Sequence, residues 1–571
     1  MLNNEKYAPF HKNRKYIVRL LLLALTAFYC ILPLFIHQGL PYAQDIIFHI
    51  FQANQFDRAL HEGFIYPRWV PDSNNGYGSP SFVFYSPLSY YLVSAIKLFA
   101  PSLTVAMIIA IWFGFFLSGI TMYITSRRMF GGSVGVVPAI IYQILPFHLW
   151  DIYIRGTFAE FLAFIWFPLI ILFMRKTIES GNKMAMIGLS LSYAGLILTH
   201  LVSGFIFSLV IAAYFIYNYF RLRDKGPMIR TSFSLVLGLG LSSVYLLPVV
   251  FERRFVQIEY IVKSFDYRKN FLFVADKFEP GLRDFYLPLH TIVVIEVIFF
   301  LFITSLILKS RQRLANNLNR NFFIFLFLLA IFFATPLSRP IWDVTPGFAF
   351  LQFPWRWLLM MELSLCFLVG FLFSSEIMTG LRSSRLKRVC IYFLLVISLI
   401  SFVTISKSKV IPDTSVSKFL HPEHIKNIMD PPVEYTPKWA GNIKKIMSEV
   451  KYEKVSVISG MALTGIVEWK SERRVININA FTSSLIRIAT FYYPGWKAYI
   501  DGVQTVIKTE KGVGAMLVDI PMGRHTLILR FEDTPIRYYS KIIALVSLLV
   551  MVSLVLFPWK TDGNASTKTV T

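Results

Sequence analysis

Charge is scarce in this 571-residue chain: Asp, Glu, Lys and Arg make up 16% of it, against 55% hydrophobic residues. That ratio excludes a soluble globular protein, a disordered chain and a coiled coil, all of which need far more polar surface. Cysteine is scarcer still. Cys30, Cys366 and Cys390 lie in apolar runs with no CxxC spacing, so neither a disulfide framework nor a thiolate metal site is supported. A Walker A loop, a GxGxxG after a strand, HExxH and GxSxG are also missing, which argues against ATP-driven and Rossmann-type chemistry. Acids are few: 57 Lys and Arg face 33 Asp and Glu, a formal charge of +24. In a soluble protein that surplus would suggest a nucleic-acid partner. In a membrane protein it can be the positive-inside bias, and its distribution decides between the two.

Apolar stretches long enough to cross a hydrocarbon core about 30 Å thick are abundant. They fall at 17–37, 103–126, 133–150, 159–174, 184–199, 203–220, 231–250, 289–308, 321–337, 358–375, 389–406 and 536–558, which predicts 12 crossings. The first follows Lys6, Lys12, Arg14, Lys15 and Arg19 and lacks a small-residue cleavage site, so it is read as a retained helix with its N-terminus inside. The segment 86–100 (SPLSYYLVSAIKLFA) is apolar but short and carries Lys97. Counting it as a crossing would invert every later loop. Left in the outer interface, it gives inner segments holding 24 basic and five acidic residues, a balance of +19. Only +5 of the total then remains for everything else. Such regular alternation favours 12 spans with both termini cytoplasmic, and the nucleic-acid reading loses its support.

Three outer regions are then large: 38–100, 251–287 and 407–534. The last changes composition. Strand-like runs at 475–480, 484–491, 515–520 and 525–531 are separated by Pro-Gly, Asp-Gly and Met-Gly turns, which predicts a small extracytoplasmic β-sandwich. The expected organisation is a transmembrane part over 1–406 with the outer loop 38–100, a β-domain over 407–535, a final helix at 536–558 and a cytoplasmic tail at 559–571.

Candidate chemistry collects on the outer side. Directly after the first helix, Asp45 and His49 are four residues apart, and Asp57 and His61 repeat the spacing. That spacing puts each pair on one face of a helix. A carboxylate at the membrane surface beside Ile46, Ile47 and Phe48 loses solvation, which raises its basicity and suits a general base. An ordinary amphipathic helix with solvated Asp and His fits the same spacing. Two acid–His pairs could also bind a divalent cation, though no metal site is assigned.

A second group, 151–160 (DIYIRGTFAE), holds Asp151, Arg155 and Glu160. Charges this close to hydrocarbon must pair or serve a site, and Arg155 neutralising Asp151 at i, i+4 is the simpler account. His200, Arg253 and Arg356 (in FPWRW, 353–357) complete the set. An Arg between Trp residues can grip a phosphate through its guanidinium fork or serve as an interfacial anchor. Acids together with cations at one lipid surface suit a reaction on an anionic lipid-linked substrate.

The basic N-terminus, the outer loop with an early Asp and a following His, GYGSPSFVFYSPLSYY at 76–91, Arg-Arg-x-Phe-Gly at 127–131 and RGTFAEFLAF resemble the bacterial polytopic membrane family labelled "6-pyruvoyl-tetrahydropterin synthase related". The resemblance covers roughly residues 1–380. In layout that family is similar to the GT-C class of membrane glycosyltransferases, which use polyprenyl-phosphate sugars and keep an essential acid in the first outer loop. YYPGWKAYIDG at 492–502 resembles a motif of related bacterial membrane proteins, where it sits in an extracytoplasmic β-domain.

The resemblance implies a GT-C-like glycosyltransferase of the bacterial cytoplasmic (inner) membrane. It would transfer a sugar from a polyprenyl-phosphate donor to an envelope glycan, lipid or protein acceptor, with inversion. Asp45 would match the first-loop acid, and Arg155 with Glu160 the outer-loop Arg and its acid. The second acid stays open between Asp151 and Glu160. No nucleotide or other cofactor is expected, and the absence of an Asp-x-Asp pair in the first outer loop argues against metal dependence. Rival readings are a lipid-linked sugar flippase and a non-enzymatic envelope assembly protein. The β-domain would present the acceptor or simply steady the helices.

Overall fold

The computed structural model describes residues 8–222, 224–274, 283–309, 317–374, 392, 396–405, 407–420, 433–441 and 453–556. The described residues form a helical bundle followed by a C-terminal all-β region. Helix starts follow local chemistry. Ser102 Oγ accepts the Val105 N–H at 3.2 Å and opens the longest helix, Leu103–Phe130, while Asn182 Oδ1 accepts the Met184 N–H at 2.8 Å and opens Lys183–Thr199; both are N-caps.

Seven helices among the described residues are long and apolar enough to cross a membrane, or nine if two bent pairs each count as one span. Three of the 12 expected stretches have no such helix among the described residues. The stretch 17–37 belongs to the helix Ala8–Cys30, whose first half holds Arg14, Lys15 and Arg19, and the chain breaks before Leu32–Ile36. The stretch 184–199 forms a helix of only 17 residues. In the stretch 389–406 the described residues form a helix over Val396–Ile405 of only 10 residues, and 389–391, 393–395 and 406 lie outside the described residues. Both bent pairs break at ends that cannot continue straight. Gly226–Leu241 meets Ser243–Phe255 at 72°, and Asn319–Ala334 meets Pro336–Val344 at 85°; in the second, Pro336 ends the hydrogen-bond ladder. The segment 86–100 forms a helix over Leu88–Lys97 of 10 residues, about 15 Å long and too short to cross.

Aromatic stacking fills the bundle: Phe300 lies on Phe327 at 3.9 Å and Phe323 on Phe367 at 4.3 Å. A second core forms where the helix Ile46–His61 packs with Leu88–Lys97 and Leu103–Phe130 through residues such as Phe56, Tyr90 and Met107. At the start of the segment 38–100, β1 (Gly39–Pro41) pairs antiparallel with β2 (Val410–Pro412). The β-region contains β3 (Val455–Ser459), β4 (Ala462–Lys470), β5 (Arg473–Ala480), β6 (Ser484–Phe491), β7 (Trp496–Ile500), β8 (Val503–Thr505), β9 (Lys508–Thr509), β10 (Ala515–Ile520) and β11 (Gly523–Phe531). They form two antiparallel sheets, ordered β3-β6-β10-β9 and β4-β5-β11-β7-β8. Ile476, Ile488, Val518 and Leu527 of the two sheets share one core, as alternating strands require when each sheet buries one face.

The segment 38–100 is built into that core. Trp69 packs on Trp496 at 5.4 Å, Tyr77 stacks on Phe491 at 5.0 Å, and Glu472 accepts the backbone N–H groups of Arg68 and Trp69 at 2.6 and 3.2 Å. The last helix, Pro535–Leu556, is fastened at its first turn. Arg537 Nη2 donates to Glu252 Oε2 at 2.6 Å, and Tyr493 donates to the same oxygen at 3.0 Å.

Candidate functional site

Two backbone hydrogen bonds lay the segment 38–100 against a turn in the helical bundle. Gln44 N–H donates to Ile154 O at 3.2 Å, and Asp45 N–H donates to Arg155 O at 2.7 Å. The receiving segment is a π-helical turn, Asp151–Arg155, that continues the helix Pro146–Trp150 and ends at Gly156 with φ +69°. Glycine is required there twice over. The positive φ is costly for any residue with a Cβ, and a Cβ at Gly156 would lie 2.7 Å from the Ile46 nitrogen. Gly156 thus sets how close Asp45 comes to the charges that follow.

Those charges are buried and interlocked. Arg155 Nη1 donates to Asp151 Oδ1, and Arg155 Nη2 donates to Glu160 Oε2 at 3.1 Å. Arg356 reaches the same Glu160 oxygen through Nε at 3.1 Å, while its Nη1 donates to Leu351 O at 2.7 Å and Gln352 Oε1 at 3.1 Å. The face of Trp355 covers the Arg155 guanidinium at 4.4 Å. Asp151 and Glu160 are 0% and 1% exposed, and Arg155 is 3% exposed. Such charges stay buried only because each has opposite partners.

Asp45 is different. Its side chain is exposed and makes no capping hydrogen bond to the helix it precedes. Surrounding protein raises its carboxyl above the ordinary carboxylate range, the largest influence, while Arg155 and Arg356 pull it down and Glu160 pushes it up. Two arginines and two acids balance one another, so Asp45 is the carboxylate left uncompensated. A more basic carboxylate held rigidly beside two guanidinium groups can take a proton and leave a neutral cluster behind.

The structure therefore brings Asp45, Asp151, Arg155, Glu160 and Arg356 together from three separate stretches of sequence. His49 is buried behind Asp45, hydrogen-bonded to the Tyr90 hydroxyl at 3.1 Å. Burial, followed by the nearby His200, lowers its pKa to about 3. His200 is bonded through Nδ1 to Ser203 Oγ at 2.8 Å and is kept neutral by burial, with Glu160 opposing and Arg356 and Arg155 adding to the effect. Both rings can exchange hydrogen bonds but carry no charge. Arg253 belongs elsewhere, to a cavity of about 600 Å³ that it lines with Arg254, Lys263, Lys438, Tyr260 and Phe350. Asp57 and His61 begin about 18 Å along the helix from Asp45 and His49, so the two pairs cannot share one cation. Among the described residues no group of three or more His, Cys, Asp or Glu could hold a metal ion.

Tyr85 is a site residue that sequence reasoning passed over. It is half-buried, its ring lies 5.8 Å from that of His49, and it lies within electrostatic range of Asp45, Arg356 and Glu160. Burial and Asp45 raise its phenol, so it stays a hydrogen-bond donor. Its signal was the aromatic run at 76–91, in which no single Tyr stands out by spacing.

A family model described as "6-pyruvoyl-tetrahydropterin synthase related domain; membrane protein" matches residues 82–410. An uncharacterised protein of Lactococcus lactis subsp. cremoris (strain MG1363) is 23% identical over 279 residues, covering 46% of this chain and 45% of that protein. Among solved structures, the Archaeoglobus fulgidus oligosaccharyltransferase in complex with Zn and sulfate is 15% identical, with a TM-score of 0.39, over 69% of this chain and 54% of its own. The apo form of that protein is 14% identical, with a TM-score of 0.35, over 72% and 57%. The chain thus spans about half the length of the relatives it matches. At such similarity the chemistry has to be read from this chain's own residues.

Proposed function

The chain belongs to the 6-pyruvoyl-tetrahydropterin synthase related family of membrane proteins, and on the chemistry of the Asp45 cluster we propose that it is a membrane-embedded glycosyltransferase. It transfers a sugar from a polyprenyl-phosphate donor to a cell-envelope acceptor at the outer face of a bacterial cytoplasmic membrane, with both termini cytoplasmic. One observation carries the reading: Asp45 is an exposed carboxylate without a capping bond, fixed through its own backbone beside Arg155 and Arg356, whose charges Asp151 and Glu160 already balance.

In the proposed reaction Asp45 takes the proton of the acceptor hydroxyl as its oxygen attacks the anomeric carbon from the face opposite the leaving group. The anomeric C–O bond breaks, its electron pair leaves with the lipid phosphate, and the sugar is transferred with inversion. Protonation of Asp45 neutralises the five-group cluster as negative charge gathers on the departing phosphate, so the two charge movements support each other. Arg356 is placed to meet that phosphate, because Nη2 lies outside the bonds its other two nitrogens make among the described residues. Arg155, bonded to both acids, holds Glu160 and Asp151 in place. Tyr85 and the two neutral histidines supply hydrogen bonds for sugar hydroxyls.

The donor carries its own leaving group, so no nucleotide is needed and no step uses a metal. In this scheme residues 1–406 and 536–558 form the membrane part, and 407–535 presents the acceptor. The test is a strain carrying Asp45→Asn, with envelope glycans and lipid-linked intermediates analysed by mass spectrometry. The expected result is normal insertion, accumulation of a lipid-linked sugar and loss of one glycan modification. Full complementation of a deletion by that variant would sink the enzyme reading.

A further inference from the structure

Two more carboxyls lie deep in the bundle, away from the outer loop. Glu296, in the helix Arg283–Lys309, is 1% exposed, and Glu362, in the helix Leu358–Ser374, is 0% exposed. Each is a single acid in an otherwise apolar stretch. They are within hydrogen-bonding reach of each other. Glu362 Oε1 accepts the Phe147 N–H at 2.6 Å, and the His148 N–H also faces it. The remaining oxygens, both of Glu296 and Oε2 of Glu362, find no donor among the described residues. Neither acid has an ion-pair partner among the described residues. The other titratable groups facing the pair are Asp151, Cys366 and Tyr142. The His148 ring is turned away, bonded through Nδ1 to Tyr142 O at 2.9 Å and stacked on Phe164 at 3.9 Å.

Two ionised carboxylates in contact, with no cation beside them among the described residues, are strongly unfavourable in a membrane interior. One proton removes the conflict, since the acid that holds it donates to the acid that does not. The backbone N–H groups at Phe147 and His148 favour the charge on Glu362, which leaves the proton on Glu296.

We propose that Glu296 and Glu362 form a one-proton carboxyl–carboxylate pair inside the membrane-spanning bundle, and that this pair positions the candidate site. The connection is short. Glu362 holds the start of Pro146–Trp150, and that helix runs without a break into the turn Asp151–Arg155. A second ionisation would set two negative charges against each other and draw Glu362 off the Phe147 N–H, loosening the turn that carries Asp151 and Arg155. Glu296 and Glu362 are positioning residues, and the inference stands whatever reaction Asp45 serves.

The test uses the full chain in lipid nanodiscs. The infrared difference spectrum between wild type and Glu296→Gln at neutral pH should show the loss of one protonated-carboxyl carbonyl band. Thermal unfolding of the wild type should weaken as pH rises, and Glu296→Gln should show a shallower dependence because it keeps a donor that cannot ionise. Glu362→Gln, which retains an acceptor for Phe147, should keep amide exchange over 147–155 at the wild-type rate, and Glu362→Leu should raise it about tenfold or more. The proposal is overturned if the difference spectrum shows no protonated-carboxyl band lost in Glu296→Gln, if that variant keeps the wild-type pH profile, or if Glu362→Leu leaves exchange over 147–155 unchanged.

Discussion

Two buried ionic clusters serve the same fold in opposite ways. Around Glu252 every oxygen is used: Oε1 accepts Thr534 Oγ1 at 2.5 Å, and Oε2 accepts Tyr493 together with Nε and Nη2 of Arg537. Arg537 spends its remaining N–H groups on Glu532 O and Pro494 O. Around Glu160 the account does not close. Among the described residues Asp151 Oδ2 and Trp355 Nε1 lack hydrogen-bond partners, and an exposed carboxylate, Asp45, sits alongside. A cluster satisfied at every atom holds the last helix and the β-region to the bundle. A cluster with polar atoms left over is built for something that arrives later.

The largest expected effect that tests this contrast is Asp45→Asn. Activity should fall about 10²- to 10⁴-fold, the usual contribution of general base catalysis, with no change in thermal midpoint, because the side chain caps nothing. Glu252→Ala should do the reverse. Leaving Arg537 buried without its counter-ion should cost about 3–5 kcal/mol of stability, read by denaturation in detergent, while activity per folded molecule is kept. If the two variants behaved alike, the distinction between the clusters would fail.

Gly156→Ala comes next. It alters no charge, yet it pushes a Cβ towards the Ile46 nitrogen, and the displaced Asp45 should lower turnover by up to about 10²-fold. The pH profile sharpens the contrast further. Asp45 must be ionised to act, and its pKa is raised, so activity should disappear on acidification at a pH above the ordinary carboxylate value of about 3.9. The Asp45→Asn variant's residual activity should lack that limb. The smallest effect concerns Glu472, between loop and sheet, whose carboxyl burial pushes up to about 7. Because the folded state holds this proton more tightly than the unfolded chain, stability should fall as pH rises from about 4.5 to 7, by at most about 1.4 kcal/mol per pH unit. Glu472→Gln should flatten that slope.

Much of the Glu160 cluster was legible in the sequence, because charged residues beside long apolar runs are few and each needs a reason. Asp45, Asp151, Arg155, Glu160 and Arg356 could be named that way, though not the shared partner: nothing in the spacing says that Arg155 and Arg356 meet at one carboxylate 196 residues from the second. Arg253 was grouped with them by depth alone, and depth does not give position around a bundle. The Glu252–Arg537 pair escaped for a related reason, since its members are 285 residues apart and each resembles an ordinary interfacial charge. The β-strands were readable from alternation and turn residues. Up to nine of the twelve expected crossings have a counterpart among the described residues, and bends such as the one at Pro336 were not legible because composition averages over such breaks.

The helix Pro535–Leu556 has only 17% of its apolar window covered by protein, while Arg537 in its first turn is 0% exposed. It behaves as a lever with a fixed fulcrum and a long arm immersed in lipid. Bilayer thickness acts on the free arm, and the force arrives at Glu252, Tyr493 and Thr534, on the seam between sheet and bundle. A thin or poorly matched detergent layer should therefore unseat the β-region first and leave the Glu160 cluster intact. The lipids around this one helix are in effect a structural subunit of the protein.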